Sequence, residues 1–484
     1  MTEINKMTEI QRMTQIKRIE IKTHTDNQFG VFQIELEKTK ITEEEQEINL
    51  MIDKSGSMDE MCGDGSTKMH QIIHVTKNIL RFVAKKCTKG NVKISLKAFN
   101  TEVETVFENT VITEDILDDL VKRVDKVYAN DGTDIGIALK SMHSPGTNRH
   151  NIFMSDGDAN LGETCPAILA EFVDPNAMNT FVGFGLEHNL NIFAALSKTK
   201  NSTYYFVDKA EKSGNAYGEI LDGILYNCLK EVRIRIVGGT LYNWKTDEWT
   251  TEIFVGNMSS EAKKTFHIMT PKIEDVQITV CASNLVGEEV VTYGTESKTE
   301  DLQNMIYRQR TMELLFKATQ KMNQDEINSL KKELKAFVAE MKEYMKETAD
   351  PLVKNLCDDI VITYRTLGTQ FGAMYSCSRQ TTQGEERVYN VSDPPTNDEM
   401  SPRFGVSQRI PRFVLPQTPR NKPFKPFTLE ELAEPKALHF DSDEEDMMDA
   451  YVVSADTPFY YSGRVATVMR SVTEEFVDNE EDSI

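Results

Sequence analysis

The stretch INLMIDKSGSM, Ile48 to Met58, decides the fold. Its first five residues, Ile48 to Ile52, are a short, largely apolar run, the pattern of a parallel strand covered on both faces. Asp53 therefore falls at the carboxyl end of a strand. Gly56 lets the backbone turn sharply beyond it, and Ile72, Val75, Ile79 and Val83 then recur at helical spacing. Strand, loop and helix in this order open an α/β sheet.

Two further segments meet the same edge. Asn151 to Met154 is an apolar strand ending in Ser155 and Asp156, within MSDGD (Met154 to Asp158), and DGTD (Asp131 to Asp134) precedes a helix. Open α/β sheets take ligands at the carboxyl edge of their strands. Asp53, Ser55, Ser57, Thr133 and Asp156 together offer two carboxylates and three hydroxyls. All are hard oxygen donors, with no His or Cys among them, and such a set suits Mg²⁺ or Mn²⁺.

DxSGS, a TD pair before a helix, and a strand ending in SDG resemble the von Willebrand factor A domain and its metal ion-dependent adhesion site. The resemblance implies that Asp53, Ser55, Ser57 and Thr133 approach the ion directly or through water and that Asp156 completes the set. A remaining position would be left to a ligand, commonly a partner's Asp or Glu carboxylate. The loop after Ser57 departs from the pattern: Asp59, Glu60, Cys62 and Asp64 add an acidic insertion beside the site, which bears on partner preference.

The length of 484 residues predicts about three domains, and 39% apolar residues suffice for real cores. No apolar leader or bilayer-length run is present, so an intracellular, non-membrane protein is expected. The seven cysteines are scattered and never form a CxxC pair, which reads as free thiols in a reducing compartment. Residues 429–484 hold sixteen acidic and three basic side chains, a charge of −13, and the first 428 residues carry the remaining −9 of the total −22. Neither part offers the basic surface that nucleic acid demands.

Along the chain, residues 1–18 repeat a hexamer (MTEINK, MTEIQR, MTQIKR) and read as a replicated tail. Ile19 and Ile21, then Phe32, Ile34 and Leu36, alternate with polar residues as half-buried strands. Residues 47–230 alternate strand and helix, implying a doubly wound parallel sheet whose last helix runs through Ile220, Ile224 and Cys228. His188 lies in a loop of this unit, without a second His or Cys beside it, and is expected to be solvated. Residues 231–300 alternate again, with Val232, Ile234 and Ile236 between Arg233 and Arg235. They predict an antiparallel sandwich, which the strands in 19–46 should join, so that the α/β domain is an insertion with two chain crossings.

Residues 301–390 are expected to be helical, with Ile327, Leu330, Leu334, Phe337, Met341 and Met345 on one face and a break at Pro351. VGNMS (Val255 to Ser259), the segment FKATQKMNQDEINSLKKEL and SRQTTQG (Ser378 to Gly384) resemble the Vwaint-type region that follows such A domains in intracellular proteins. The RING or Hint module found in that family has no counterpart in this sequence. Residues 391–484 read as a disordered tail, first basic and proline-rich, then acidic. Six basic residues and no acids fall in 401–428, and Ser442 lies in an acidic run open to phosphorylation.

These readings predict a metal-dependent protein-binding module or scaffold, with the acidic tail as an intramolecular competitor for the site. The alternative is an enzyme-associated or structural scaffold whose tails carry the interactions. Catalysis is not expected, because Ser55 and Ser57 are needed as ligands and no motif supplies an oriented His base.

Overall fold

The computed structural model describes residues 16–387, apart from 25–27, 63, 147, 158, 186–187, 209–212, 273–274, 285–288, 295–296 and 370, together with residue 448 and residues 463–473. A hairpin of β1 (Ile16–Thr23) and β2 (Phe29–Leu36) leads into the α/β unit. Its strands are β3 (Gln46–Asp53), β4 (Val92–Phe99), β5 (Val103–Val111), β6 (Arg149–Ser155), β7 (Met178–Phe184) and β8 (Ser202–Val207). Its helices are α1 (Lys68–Lys86), α2 (Glu114–Val124), α3 (Ile135–Ser141), α4 (Pro166–Glu171), α5 (Leu190–Ser197) and α6 (Ser213–Leu225).

The sheet runs β5-β4-β3-β6-β7-β8, parallel except for the antiparallel edge strand β5. The order therefore reverses between β3 and β6, and a crevice opens beyond their carboxyl ends at such a switch point. All seven residues of β6 are buried, as a central strand with helices on both faces requires. On α1, the four predicted apolar positions Ile72, Val75, Ile79 and Val83 are buried, and the Thr67 hydroxyl caps the helix by accepting the His70 N–H at 3.1 Å. A polar ladder crosses three strands. The Asn49 amide donates to Asn151, and Asn151 donates to Asn179, each at 3.0 Å.

Tyr226 alone separates α6 from β9 (Asn227–Val237), so Cys228 lies on a strand and not on the expected helix. There follow β10 (Thr240–Asn243), β11 (Glu248–Thr250), β12 (Glu252–Ser259), β13 (Lys263–Met269), β14 (Gln277–Asn284), β15 (Glu289–Gly294) and β16 (Ser297–Thr299). One sheet has the order β11-β10-β13-β2-β1-β16 and the other β12-β9-β14-β15. Phe32 stands opposite Phe266 where β2 pairs with β13. Phe32, Ile34 and Leu36 pack with Val232, Ile234, Ile278 and Val280 in one core between the sheets. The α/β domain is thus inserted in a sandwich and held by two crossings. The sandwich is not wholly antiparallel, since β1 and β16 run parallel.

Helices α7 (Gln303–Thr319), α8 (Gln324–Thr348), α9 (Pro351–Thr366) and α10 (Gly372–Glu385) follow. Asn323 and Glu326 form a capping box on α8, and Asp350 caps α9 ahead of Pro351. Leu330, Leu334, Phe337 and Met341 face the helical core. Arg387 fastens this region to the α/β domain, donating to the Tyr204 carbonyl at 2.7 Å and to the Thr203 hydroxyl at 2.6 Å.

The tail contributes an element that its composition did not suggest. Helix α11 (Gly463–Thr473) lies on α1 and α6, with Val465, Val468 and Val472 buried. A Cβ on Gly214 would come within 2.9 Å of Thr473 Cα, and one on Gly218 within 2.4 Å of Met469 Cα, so both glycines admit a close helix crossing. Arg464 donates to both oxygens of buried Asp222 at 2.7 and 2.8 Å, and to the Ser260 carbonyl at 2.7 Å. Asn78 of α1 donates to the Val472 carbonyl at 3.0 Å. Residues 1–15 of the repeat and the basic, acidic and Ser442-containing parts of the tail lie outside the described residues.

Candidate metal centre

Asp53 ends β3 beside Phe99 of β4, and Asp156 follows β6. Both carboxylates are buried, as are Ser55 and Thr133. Asp53 Oδ1 accepts the Ser55 backbone N–H at 2.7 Å, and Oδ2 accepts the Ser155 hydroxyl at 2.5 Å. The Ser55 and Ser57 hydroxyls are 3.1 Å apart, and Ser57 donates to Asp156 Oδ1 at 2.7 Å. Backbone contacts bring in the third loop. Gly56 N–H donates to the Asp131 carbonyl at 2.9 Å and Asn130 N–H to the Lys54 carbonyl at 2.8 Å, while the Thr133 N–H is held by Asn160 Oδ1 at 2.8 Å. Asp134 is spent on capping α3, accepting the Ile137 N–H at 3.1 Å.

The three loops thus converge, as the sequence predicts. A Cβ on Gly157 would lie 3.6 Å from Ser57 Oγ and 3.8 Å from Thr133 Oγ1, so the missing side chain leaves room between two hydroxyls at the mouth of the site. Burial pushes the Asp53 carboxyl up to about 6, and the negative Asp156 nearby adds to this against the hydrogen bonds from Ser155 and Ser55. Two buried carboxylates facing three hydroxyls favour a hard cation. Among the described residues no cluster of three His, Cys, Asp or Glu side chains could hold a metal. The donor set here is of another kind, two carboxylates supplemented by hydroxyls. These residues fit Mg²⁺ or Mn²⁺, which Asp53, Ser55, Ser57, Thr133 and Asp156 would hold.

Sequence reasoning missed Lys68. Its ammonium lies 2.8 Å from Asp156 Oδ2 and 2.5 Å from Glu60 Oε2. Burial opposes its charge, but Asp156 and Glu60 outweigh that and raise its pKa. The signal was available: a cation in the first turn of a helix opposes the macrodipole, so a nearby acid was to be expected. Within the acidic insertion, Glu60 reaches this cluster through Lys68, while Asp64 folds back on Ser66 and Gln71.

His188 is not solvated, contrary to expectation. It is buried, with Nδ1 2.7 Å from the Gly185 carbonyl and Nε2 2.6 Å from the Tyr204 hydroxyl, and burial pushes the imidazole down to about 4. Both ring nitrogens are engaged in packing the α/β core. None of the seven cysteines is in a disulfide, and among the described residues no helix is long and apolar enough to cross a membrane.

No family model matches the sequence, and no curated protein matches it. Among solved structures, the chain is similar to a von Willebrand factor type A protein from Catenulispora acidiphila, at 12% identity and a TM-score of 0.48 over 77% of this chain and 98% of that one. It is also similar to the ArnB paralog VWA2 from Sulfolobus acidocaldarius, at 12% identity and a TM-score of 0.45 over 76% and 98%. A third likeness is to proximal thread matrix protein 1 from the mussel byssus, with zinc occupied MIDAS motif, at 16% identity and a TM-score of 0.32 over 40% and 52%. By its own strand order, with β3 and β6 flanking the switch point and β5 as an antiparallel edge, the inserted domain has a doubly wound α/β fold, the architecture expected of a von Willebrand factor A domain.

Proposed function

We propose that this chain is a metal-dependent protein-binding module or scaffold. The observation that carries the reading is the convergence of Asp53, Ser55, Ser57, Thr133 and Asp156 at the switch point of the sheet. The ion is Mg²⁺ or Mn²⁺, and it supplies a Lewis-acidic position that a partner's Asp or Glu completes, so that affinity follows the ion. The Vwaint-like region after the sandwich belongs to the same reading, as a frame for the inserted domain.

Recognition is favoured over turnover. The Ser55 and Ser57 hydroxyls bond to each other, and Ser57 bonds to Asp156; among the described residues no histidine is their hydrogen-bond partner. Hydroxyls held in one cluster with a carboxylate support the role of ion ligands. The test is affinity capture from native lysate with and without EDTA, comparing the full chain with Asp53→Ala. Partners lost in both arms belong to the site; partners retained in both would shift the function to the tails. Mn²⁺ titration of the double variant Asp53→Ala, Asp156→Ala checks the ion itself, and undiminished binding would refute the assignment.

A further inference from the structure

Lys68 opens α1, yet its side chain is only 14% exposed and its arm crosses the edge of the sheet. A Cβ on Gly185, just beyond β7, would lie 3.9 Å from both Lys68 Cε and Nζ. The lysine arm thus runs past Gly185 on its way to Asp156. Both Asp156 oxygens are engaged, Oδ1 by the Ser57 hydroxyl and Oδ2 by the Lys68 ammonium. Each oxygen keeps a further lone pair, but an ion that uses Asp156 would be placed close to the positive Lys68 ammonium, 2.8 Å from Oδ2, and the two charges repel. Glu60, with its side chain 51% exposed, provides the ammonium with a second anchor that can follow its movement.

We propose that Lys68 is a tethered counter-cation of the candidate site: it neutralises Asp156 when no ion is bound, competes with the divalent ion for that carboxylate, and shifts toward Glu60 when the ion loads. The inference rests on the metal reading given above. Its physical content is that a buried carboxylate left without a cation is strongly destabilising. The lysine lets the three loops stay assembled in ion-free protein, and weaker ion binding is the consequence. The site is thereby set to respond to changes in ion concentration and not to remain saturated.

The experiment is Mn²⁺ titration of the full chain, followed by electron paramagnetic resonance, with Lys68→Met beside the unaltered protein. Lys68→Met should bind Mn²⁺ about tenfold more tightly, the effect of removing one competing charge pair in a partly solvated setting. In chelator the same variant should melt below the unaltered protein, with the gap closing at saturating Mg²⁺. Equal or weaker Mn²⁺ affinity in the variant, with the unaltered chain binding, overturns the proposal. Absence of binding in both proteins overturns the metal reading and the proposal with it. Should Lys68→Met fail to fold, Glu60→Gln leaves the ammonium wholly to Asp156 and should weaken Mn²⁺ binding; unchanged affinity there overturns the proposal equally.

Discussion

Gly218→Ala should change stability in opposite directions depending on whether α11 is present. In a chain ending at residue 462, the substitution only improves α6, because alanine is favoured over glycine inside a helix by about 0.8–1.0 kcal/mol. In the full chain, the new Cβ would sit 2.4 Å from Met469 Cα and 2.9 Å from its backbone nitrogen. These are backbone atoms and cannot rotate away. Overpacking of this kind costs about 1–3 kcal/mol, which exceeds the propensity gain at most values in that range. Helix α11 can escape by undocking, so the penalty is capped by its docking free energy, and amide exchange across 463–473 then rises. Urea unfolding of both chains with and without the substitution gives the two differences directly, and exchange measurements report docking. A stabilisation of equal size in both chains would refute the close crossing of α6 and α11.

Four further outcomes are expected. Arg464→Ala leaves the buried Asp222 carboxylate without its bidentate partner; losing one member of such a pair costs about 3–5 kcal/mol, so α11 docking should fall by about a hundredfold or more, read as lost amide protection at 463–473. His150 and His188 are buried and pushed down to about 4, so between there and an unfolded value of about 6.5 each imidazole binds its proton more readily in the unfolded chain; their contribution to stability should be lost as pH falls through this window, opposed in part by the raised Asp53 carboxyl, which favours the folded chain as pH falls, and His150→Gln should reduce the loss on acidification. Phe32→Ala removes a fully buried ring from the sandwich core and should cost about 3–5 kcal/mol in denaturant unfolding. Truncation at residue 390 removes the proposed acidic competitor; partner capture at saturating Mg²⁺ should strengthen, and unchanged capture would rule out autoinhibition by the tail.

The convergence of the three loops was legible because two of them end apolar strands and the third precedes a helix, so position along the chain fixes which edge of the sheet they occupy. The pairing of β2 with β13 needed a longer inference, from half-buried strands with no local partner, and it follows from the same alternation of Phe32, Ile34 and Leu36. Lys68 was obscured because its contact depends on an arm passing over Gly185 from a different loop, a path no periodicity encodes. His188 was misjudged for a related reason: loop position suggested solvent, but Tyr204 and Phe193 close over it. Helix α11 was hidden by its own composition. Val465, Val468 and Val472 are β-branched and weak helix formers, and Gly214 and Gly218 read as defects in α6 until a second helix is laid across them.

The Asn49–Asn151–Asn179 ladder has a consequence for the spacing of the two carboxylates. Asn49 lies four residues before Asp53 on β3, about 13 Å along the strand, and it locks β3 to β6 at the end of the sheet remote from the site. A one-residue slip between these strands would carry Asp53 about 3.3 Å past Asp156 and turn its side chain to the opposite face, breaking the amide bridge as it went. Amides do not titrate and are little affected by salt. The amide bridge therefore holds its share of the strand register whatever the pH or ionic strength, while the Asp53 carboxyl that it helps to place still titrates.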